Sequence, residues 1–113
     1  MAETIKFSDW QKLDLRVGKI LAADSIEGAD KLYKLTVDLG KQIGKRTLVA
    51  GIKPYYTKEQ LKDKQCVIFT NLEPRKLKGI ESQGMLLAAA SEDESKVFLL
   101  QTDGKIEEGS KVR

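Results

Sequence analysis

The sequence predicts an all-β fold: a five-stranded barrel with a short helix between strands three and four, a short N-terminal helix and a C-terminal extension. Three observations predict it. Five segments of strand length are apolar or alternate apolar with polar residues. One helix-start signature falls between the third and fourth of them. The chain has 113 residues, 41% of them hydrophobic, which is enough for a single buried core and fits one domain.

The elements follow in order. In SDWQ, Ser8 predicts the cap of a short helix, with Gln11 at the capping-box position. Leu13, Leu15 and Val17 then alternate with polar residues. After Gly18 the apolar phase slips to Ile20 and Ala22, which predicts a β-bulge at the glycine. Residues 25–32, SIEGADKL, read as a polar loop. Tyr33, Leu35, Val37 and Leu39 alternate with Lys34, Thr36 and Asp38 in a second strand ending at Gly40. RTLVAGI, residues 46–52, is the third strand. TKEQLK, 57–62, is a helix capped by Thr57 with Gln60 completing the box. CVIFTN (66–71) and GMLLAAA (84–90) are strands four and five. An acidic turn, SEDES, leads to a further apolar segment, VFLLQT, and an Asp103–Gly104 turn. VFLLQT needs a surface to cover, either its own barrel or a partner's. The element order is that of the OB-fold, which binds oligonucleotides and oligosaccharides through strands two and three and the loops after strands one and four. The chain thus reads as one domain with its core at about 8–90 and an extension at 91–113.

Composition excludes several functions. The chain has no histidine, which removes most acid–base catalysis at neutral pH, triad mechanisms and most catalytic zinc sites. Asp14, Asp24, Asp30 and Asp38 show no metal-ligand spacing. No catalytic residue, metal or cofactor is expected. The single cysteine, Cys66, lies in the apolar run CVIF and reads as a buried reduced thiol, which fits a reducing compartment. MAETIKFSD has no apolar signal-peptide core, and GMLLAAA is far too short to span a bilayer. The expected location is cytoplasmic. A charged fraction of 33%, rich in Lys and Glu, leans toward a thermophilic source.

Net charge is only +3, but it is unevenly placed. Residues 41–80 carry ten basic and three acidic side chains, net +7, whereas the flanking segments are net negative. Such a basic middle is a footprint of polyanion binding; a merely solvated lysine surface is the alternative. The fold position favours the first. Arg75, Lys76 and Lys78 fall in NLEPRKLKGIESQG, the loop after strand four, where Pro74 helps hold the chain in a defined shape. Lys31 belongs to the loop after strand one, Arg46 starts strand three and Lys53 follows it. All are candidates for phosphate contact. Asn71 and Ser82 can donate to phosphate, 2′-hydroxyl or base edge, or can close the loop through local turns. Met85 fits either a base contact or the core. Tyr55 and Tyr56 are candidate stacking platforms, with core packing as the alternative. Phe7 and Trp10 lie outside the barrel pattern and are expected to cover its end or an interface. Aromatics are only 6%, which disfavours general single-strand binding.

DLRVGKI, GADKLY, RTLVAGI and NLEPRKLKGIESQGMLLAA together resemble the tRNA-binding domain family. That family includes the C-terminal appendage of methionyl-tRNA synthetases, stand-alone bacterial tRNA-binding proteins and the cytokine-like domain of multisynthetase-complex cofactors. A more distant relative is the N-terminal extension of bacterial phenylalanyl-tRNA synthetase β chains. The resemblance covers residues 8–90, and residues 91–113 resemble the extension of its homodimeric members. It implies non-catalytic, shape-directed tRNA binding, homodimerisation, and association with the catalytic part of a methionyl-tRNA synthetase. It implies tRNA contacts for Lys31, Asn71, Arg75, Lys76, Ser82 and Met85; Arg46, Lys53 and Lys78 are added on charge and fold position. Where the family often has His-Pro, this chain has Glu27-Gly28, a more flexible and acidic pair. A protein-binding, chaperone-like or scaffold dimer is the rival reading.

Overall fold

The predicted strands form a five-stranded antiparallel sheet with two small hairpins beside it. The computed structural model describes residues 2–113. Its strands are β1 (Leu15–Ile26), β2 (Ala29–Asp38), β3 (Lys45–Ala50), β4 (Gln65–Phe69), β5 (Arg75–Leu77), β6 (Ile80–Ser82), β7 (Met85–Leu86), β8 (Ala88–Ala90) and β9 (Val97–Leu99). Five of them form the main sheet in the order β3-β2-β1-β4-β7. β5 pairs with β6 and β8 with β9, as two separate hairpins. The short helices are α1 (Phe7–Trp10), α2 (Gly40–Ile43) and α3 (Lys58–Leu61).

The side chains that alternate inward make the core. Ile20, Leu35, Val37, Leu39, Leu48, Cys66 and Ile68 are fully buried, and α3 adds Leu61. That helix starts as its sequence predicts. The Thr57 hydroxyl accepts from the Gln60 backbone, and the Gln60 side chain accepts from the Thr57 N–H. Burial pushes the Cys66 thiol up to about 11, against the weaker opposing pull of Lys64, so it stays protonated at neutral pH.

Four expectations change. Ser8 does not cap α1; it lies inside the helix, which begins after Lys6 with no side-chain cap. Gly18 is not a bulge. β1 pairs with β4 without interruption from Leu15 to Lys19, and the register shift against β2 lies between Ile20 and Ala22. The apolar phase changes at Gly18 because both faces of β1 are buried there. Gly18 is needed for close approach: a Cβ would sit 2.6 Å from Val37 Cγ1 and 2.8 Å from Ile68 Cγ1. The loop at 25–32 shrinks to a two-residue turn, Glu27–Gly28, between paired Ile26 and Ala29, with Gly28 at φ 77°. The fifth strand breaks at Leu87. The Leu87 N–H still bonds to the Val67 carbonyl, but the Val67 N–H donates to the Leu100 carbonyl, and the Leu100 N–H goes to the Leu87 carbonyl.

The C-terminal extension covers its own sheet. Leu99 enters the core. Val17 exchanges backbone bonds with Gly109 and Ser110, and Val112 donates to the Leu15 carbonyl, so the tail runs along β1. The Gln65 side chain accepts from the Ile106 N–H and donates to the Ile106 carbonyl. The tail passes Leu39–Gly40 backbone to backbone. A Cβ on Gly109, at φ 90°, would lie 2.6 Å from the Leu39 oxygen, and one on Gly40 would lie 2.3 Å from the Glu108 oxygen.

β3 and β7, the two ends of the sheet, share no ladder. They are bridged instead by residues 82–83. Gln83 donates its N–H to the Thr47 carbonyl and accepts from the Thr47 N–H through its side chain, and Ser82 Oγ accepts from the Val49 N–H.

The tail contact gives a stability prediction. Gly109→Ala adds a methyl against backbone at a left-handed φ, a strain of at least about 1–3 kcal/mol. Thermal unfolding should show a midpoint several degrees below the parent. An unchanged midpoint would mean that the tail is not packed on Leu39 as described.

Candidate nucleic-acid interface

The basic stretch after β4 is not an open loop but a hairpin. Arg75 pairs with Ser82, Lys76 with Glu81 and Leu77 with Ile80. Lys78 and Gly79 form its two-residue tip with φ of 52° and 80°, the positive pair that a type I′ turn requires. The sequence signal was present: Leu77 and Ile80 flank a Lys-Gly pair that does the work usually given to Asn-Gly. The tip demands positive φ of a lysine, which is why composition alone reads it as a loop.

Arg75, Lys76 and Lys78 are exposed on this hairpin. Among the described residues no carboxylate lies within 4.0 Å of any of them; the ion pairs are Lys12–Asp9, Arg16–Asp14 and Lys19–Asp63, all elsewhere. None of the three is held in an ion pair, although Glu81 stands opposite Lys76 on β6 and Glu73 lies beside Arg75. Beside the hairpin is a cavity of about 60 Å³ lined by Val49, Leu72, Glu73, Arg75, Leu77, Ser82, Gly84 and Met85, so one carboxylate shares it with Arg75. Met85 is 42% exposed, so it lines this surface rather than the core. Leu72 was not expected there; it enters because the chain turns at the foot of the hairpin.

Three predicted residues hold the hairpin's base instead of facing solvent with free groups. Ser82 is 5% exposed; its hydroxyl accepts from Val49 N–H and donates to the Gly84 carbonyl, both at 3.0 Å. The Asn71 side chain accepts from the Asp14 N–H at 2.8 Å and donates to the Lys12 carbonyl at 2.7 Å. Arg46 Nη1 donates to the Thr70 carbonyl at 2.6 Å and to the Gln83 carbonyl at 3.1 Å.

The remaining candidates lie at the far end of β2 and β3. Lys31 is exposed, and its carbonyl accepts from the Lys53 N–H. Lys53 Nζ sits 6.0 Å from the Tyr33 ring centroid, within cation–π range. The Tyr55 hydroxyl donates to the Glu94 carbonyl, and Tyr56 packs on the core while its hydroxyl accepts from Leu99 N–H. Both tyrosines have structural partners. Phe7 does not cover the end of the sheet: it is 70% exposed, and α1 buries no residue. Phe98, Leu100 and Ile106 are also exposed, and Phe98 pairs with the exposed Ala89 of β8. No group of three or more Cys, Asp or Glu side chains among the described residues could hold a metal ion. No helix among them is long and apolar enough to cross a membrane.

Asp14 ties this region to β1. Burial would raise its pKa, but hydrogen bonds from Thr70 and Arg16, with the charges of Arg16 and Lys111, outweigh burial and hold it below the usual 3.8. A depressed carboxylate adds stability above its unfolded pKa that is lost as pH falls through its folded one. Asp14→Asn should therefore lower stability at neutral pH and flatten its decline below about pH 4. An acid limb as steep as the parent's would contradict this role.

The family described as "Putative tRNA binding domain" matches residues 15–111. A methionine–tRNA ligase of Pyrococcus horikoshii is 55% identical over 111 residues, which is 98% of this chain and 15% of that protein. The corresponding ligase of Clostridium tetani is 46% identical, again over 98% of this chain and over 17% of its own length. The chain thus spans about one-sixth of these relatives. Among solved structures, a MetRS related protein from Pyrococcus horikoshii aligns with a TM-score of 0.91 at 36% identity, over 99% of this chain and all of that one. The chaperone CsaA of Bacillus anthracis aligns at 0.88 and 28% identity, over 98% of this chain and 100% of that one.

Proposed function

We propose that this chain, which belongs to the tRNA-binding domain family, binds folded tRNA by shape and carries out no chemistry of its own. The observation that carries the reading is the β5–β6 hairpin, with three exposed cations and no carboxylate partner within 4.0 Å among the described residues. Five antiparallel strands, with α3 between β3 and β4, support an OB-type barrel whose last gap is bridged by residues 82–83 rather than by a ladder. The hairpin offers cations and few aromatics, which suits phosphates and 2′-hydroxyls better than unpaired bases. Arg75, Lys76 and Lys78 are assigned to phosphate contact, with Lys31 and Lys53 extending the basic surface. Met85 and its cavity are assigned to a sugar or base edge.

The partner proposed by relationship is the catalytic part of a methionyl-tRNA synthetase. In that setting even weak affinity helps, because tethering makes the second contact effectively intramolecular. Competition among whole tRNAs, an acceptor–TΨC minihelix and an anticodon stem-loop tests the reading. Binding should be similar for tRNAs of different identity and much weaker for the stem-loop. Arg75→Ala with Lys76→Ala should weaken all tRNAs together and make the slope of log K against log salt shallower by roughly one to two units. A stem-loop that competes as well as intact tRNA, or an unchanged slope, would overturn it.

A two-fold dimer is the second part of the proposal. Phe98 and Leu100, 64% and 41% exposed beside the alanines of β8, form an apolar surface that a second copy would cover, doubling the basic surface. Light scattering on dilution should give about twice 12.6 kDa. A monomer at high micromolar concentration would assign that surface to a different protein, as the chaperone-like reading expects.

A further inference from the structure

We propose that Arg46 is a positioning residue that sets the angle of the basic hairpin, and that it makes no phosphate contact itself. The inference rests on the tRNA-binding reading above. The hairpin leaves the sheet after Thr70 and returns at Gln83, and a single Arg46 nitrogen meets both carbonyls, at 2.6 and 3.1 Å. These are the two points where the excursion begins and ends. Arg46 itself belongs to β3, held there by pairing with Val37. The guanidinium therefore ties both feet of the hairpin to a strand of the main sheet.

Two further residues complete the frame. Asn71 bonds to the backbone of Lys12 and Asp14 just past the first foot. Ser82 bonds to Val49 and Gly84 just before the second. No carboxylate of the described residues lies within 4.0 Å of Arg46, and its hydrogen-bond partners are the two carbonyls. A planar guanidinium suits that task, and a lysine, with a compact point charge and no rigid fork of donors, does not replace it. With the frame intact, Arg75, Lys76 and Lys78 are presented in a fixed array, and little conformational entropy is lost when the nucleic acid engages them.

The test separates positioning from contact. Arg46→Met, Arg46→Lys and the parent are compared in tRNA affinity across a salt series and in amide hydrogen exchange. Positioning predicts an affinity loss of about tenfold in both variants, the size of one lost charge-assisted hydrogen bond. The salt slope should remain that of the parent, because no phosphate contact disappears. Exchange should rise at residues 75–82 and stay unchanged in β1 and β2, which a general loss of stability would not produce. A slope shallower by about one unit in Arg46→Met, with affinity kept in Arg46→Lys, would make Arg46 a contact and overturn the proposal. Unchanged exchange at 75–82 would overturn it independently of any ligand. If the parent itself shows no salt-dependent tRNA binding, the functional reading fails, and the exchange result still decides what Arg46 holds.

Discussion

The gap between β3 and β7 is the constraint on which the molecule turns. The strands at the two ends of the sheet do not pair, yet their neighbours must be held together or the core between them opens to water. The chain meets this with polar side chains in place of a ladder: Arg46 on Thr70 and Gln83, Ser82 on Val49, Gln83 on Thr47. Each charged hydrogen bond of this kind contributes about 1.5–3 kcal/mol, and an unmet buried partner costs a similar amount. The same bonds fix where the hairpin starts and ends. Closing the fold and aiming the cations are one piece of chemistry.

This divides the polar residues near the hairpin by what they touch. Arg75, Lys76 and Lys78 stand out from the protein with no carboxylate within 4.0 Å among the described residues. Asn71, Ser82 and Arg46 face inward to backbone groups. The first set supplies a field that falls off with salt; the second supplies geometry that salt does not touch. A substitution in either set weakens binding on this account, but only the first changes the salt slope. The C-terminal tail serves the same economy of edges. It runs along β1 and covers backbone that would otherwise be a free strand edge.

Regular alternation made β2 legible in the sequence, since a half-buried strand repeats every two residues, whereas β3 shows only as a short apolar run with Leu48 and Val49 both buried. Thr57 and Gln60 marked α3 because a capping box is a local device that needs nothing from the rest of the fold. What was not legible depended on distant partners. Gly18 looked like a bulge, but its cause is the approach of Val37 and Ile68 from neighbouring strands. The break at Leu87 is set by Leu100 arriving beside Val67. The hairpin hid behind a lysine at positive φ. At the candidate site the cations were readable from charge and position. The burial of Ser82 and the double bond of Arg46 were not, because both depend on which backbone groups the fold leaves unpaired.

On the proposed reading, tRNA meets the protein on the hairpin and at the far β2–β3 end near Lys31 and Lys53. Backbone amide shifts recorded by NMR as intact tRNA is added test it most directly. The account predicts the largest changes at residues 72–81, at Met85, and near Lys31 and Lys53, with β8 and β9 undisturbed. Changes centred on Phe98 and Leu100, with the hairpin silent, would contradict it.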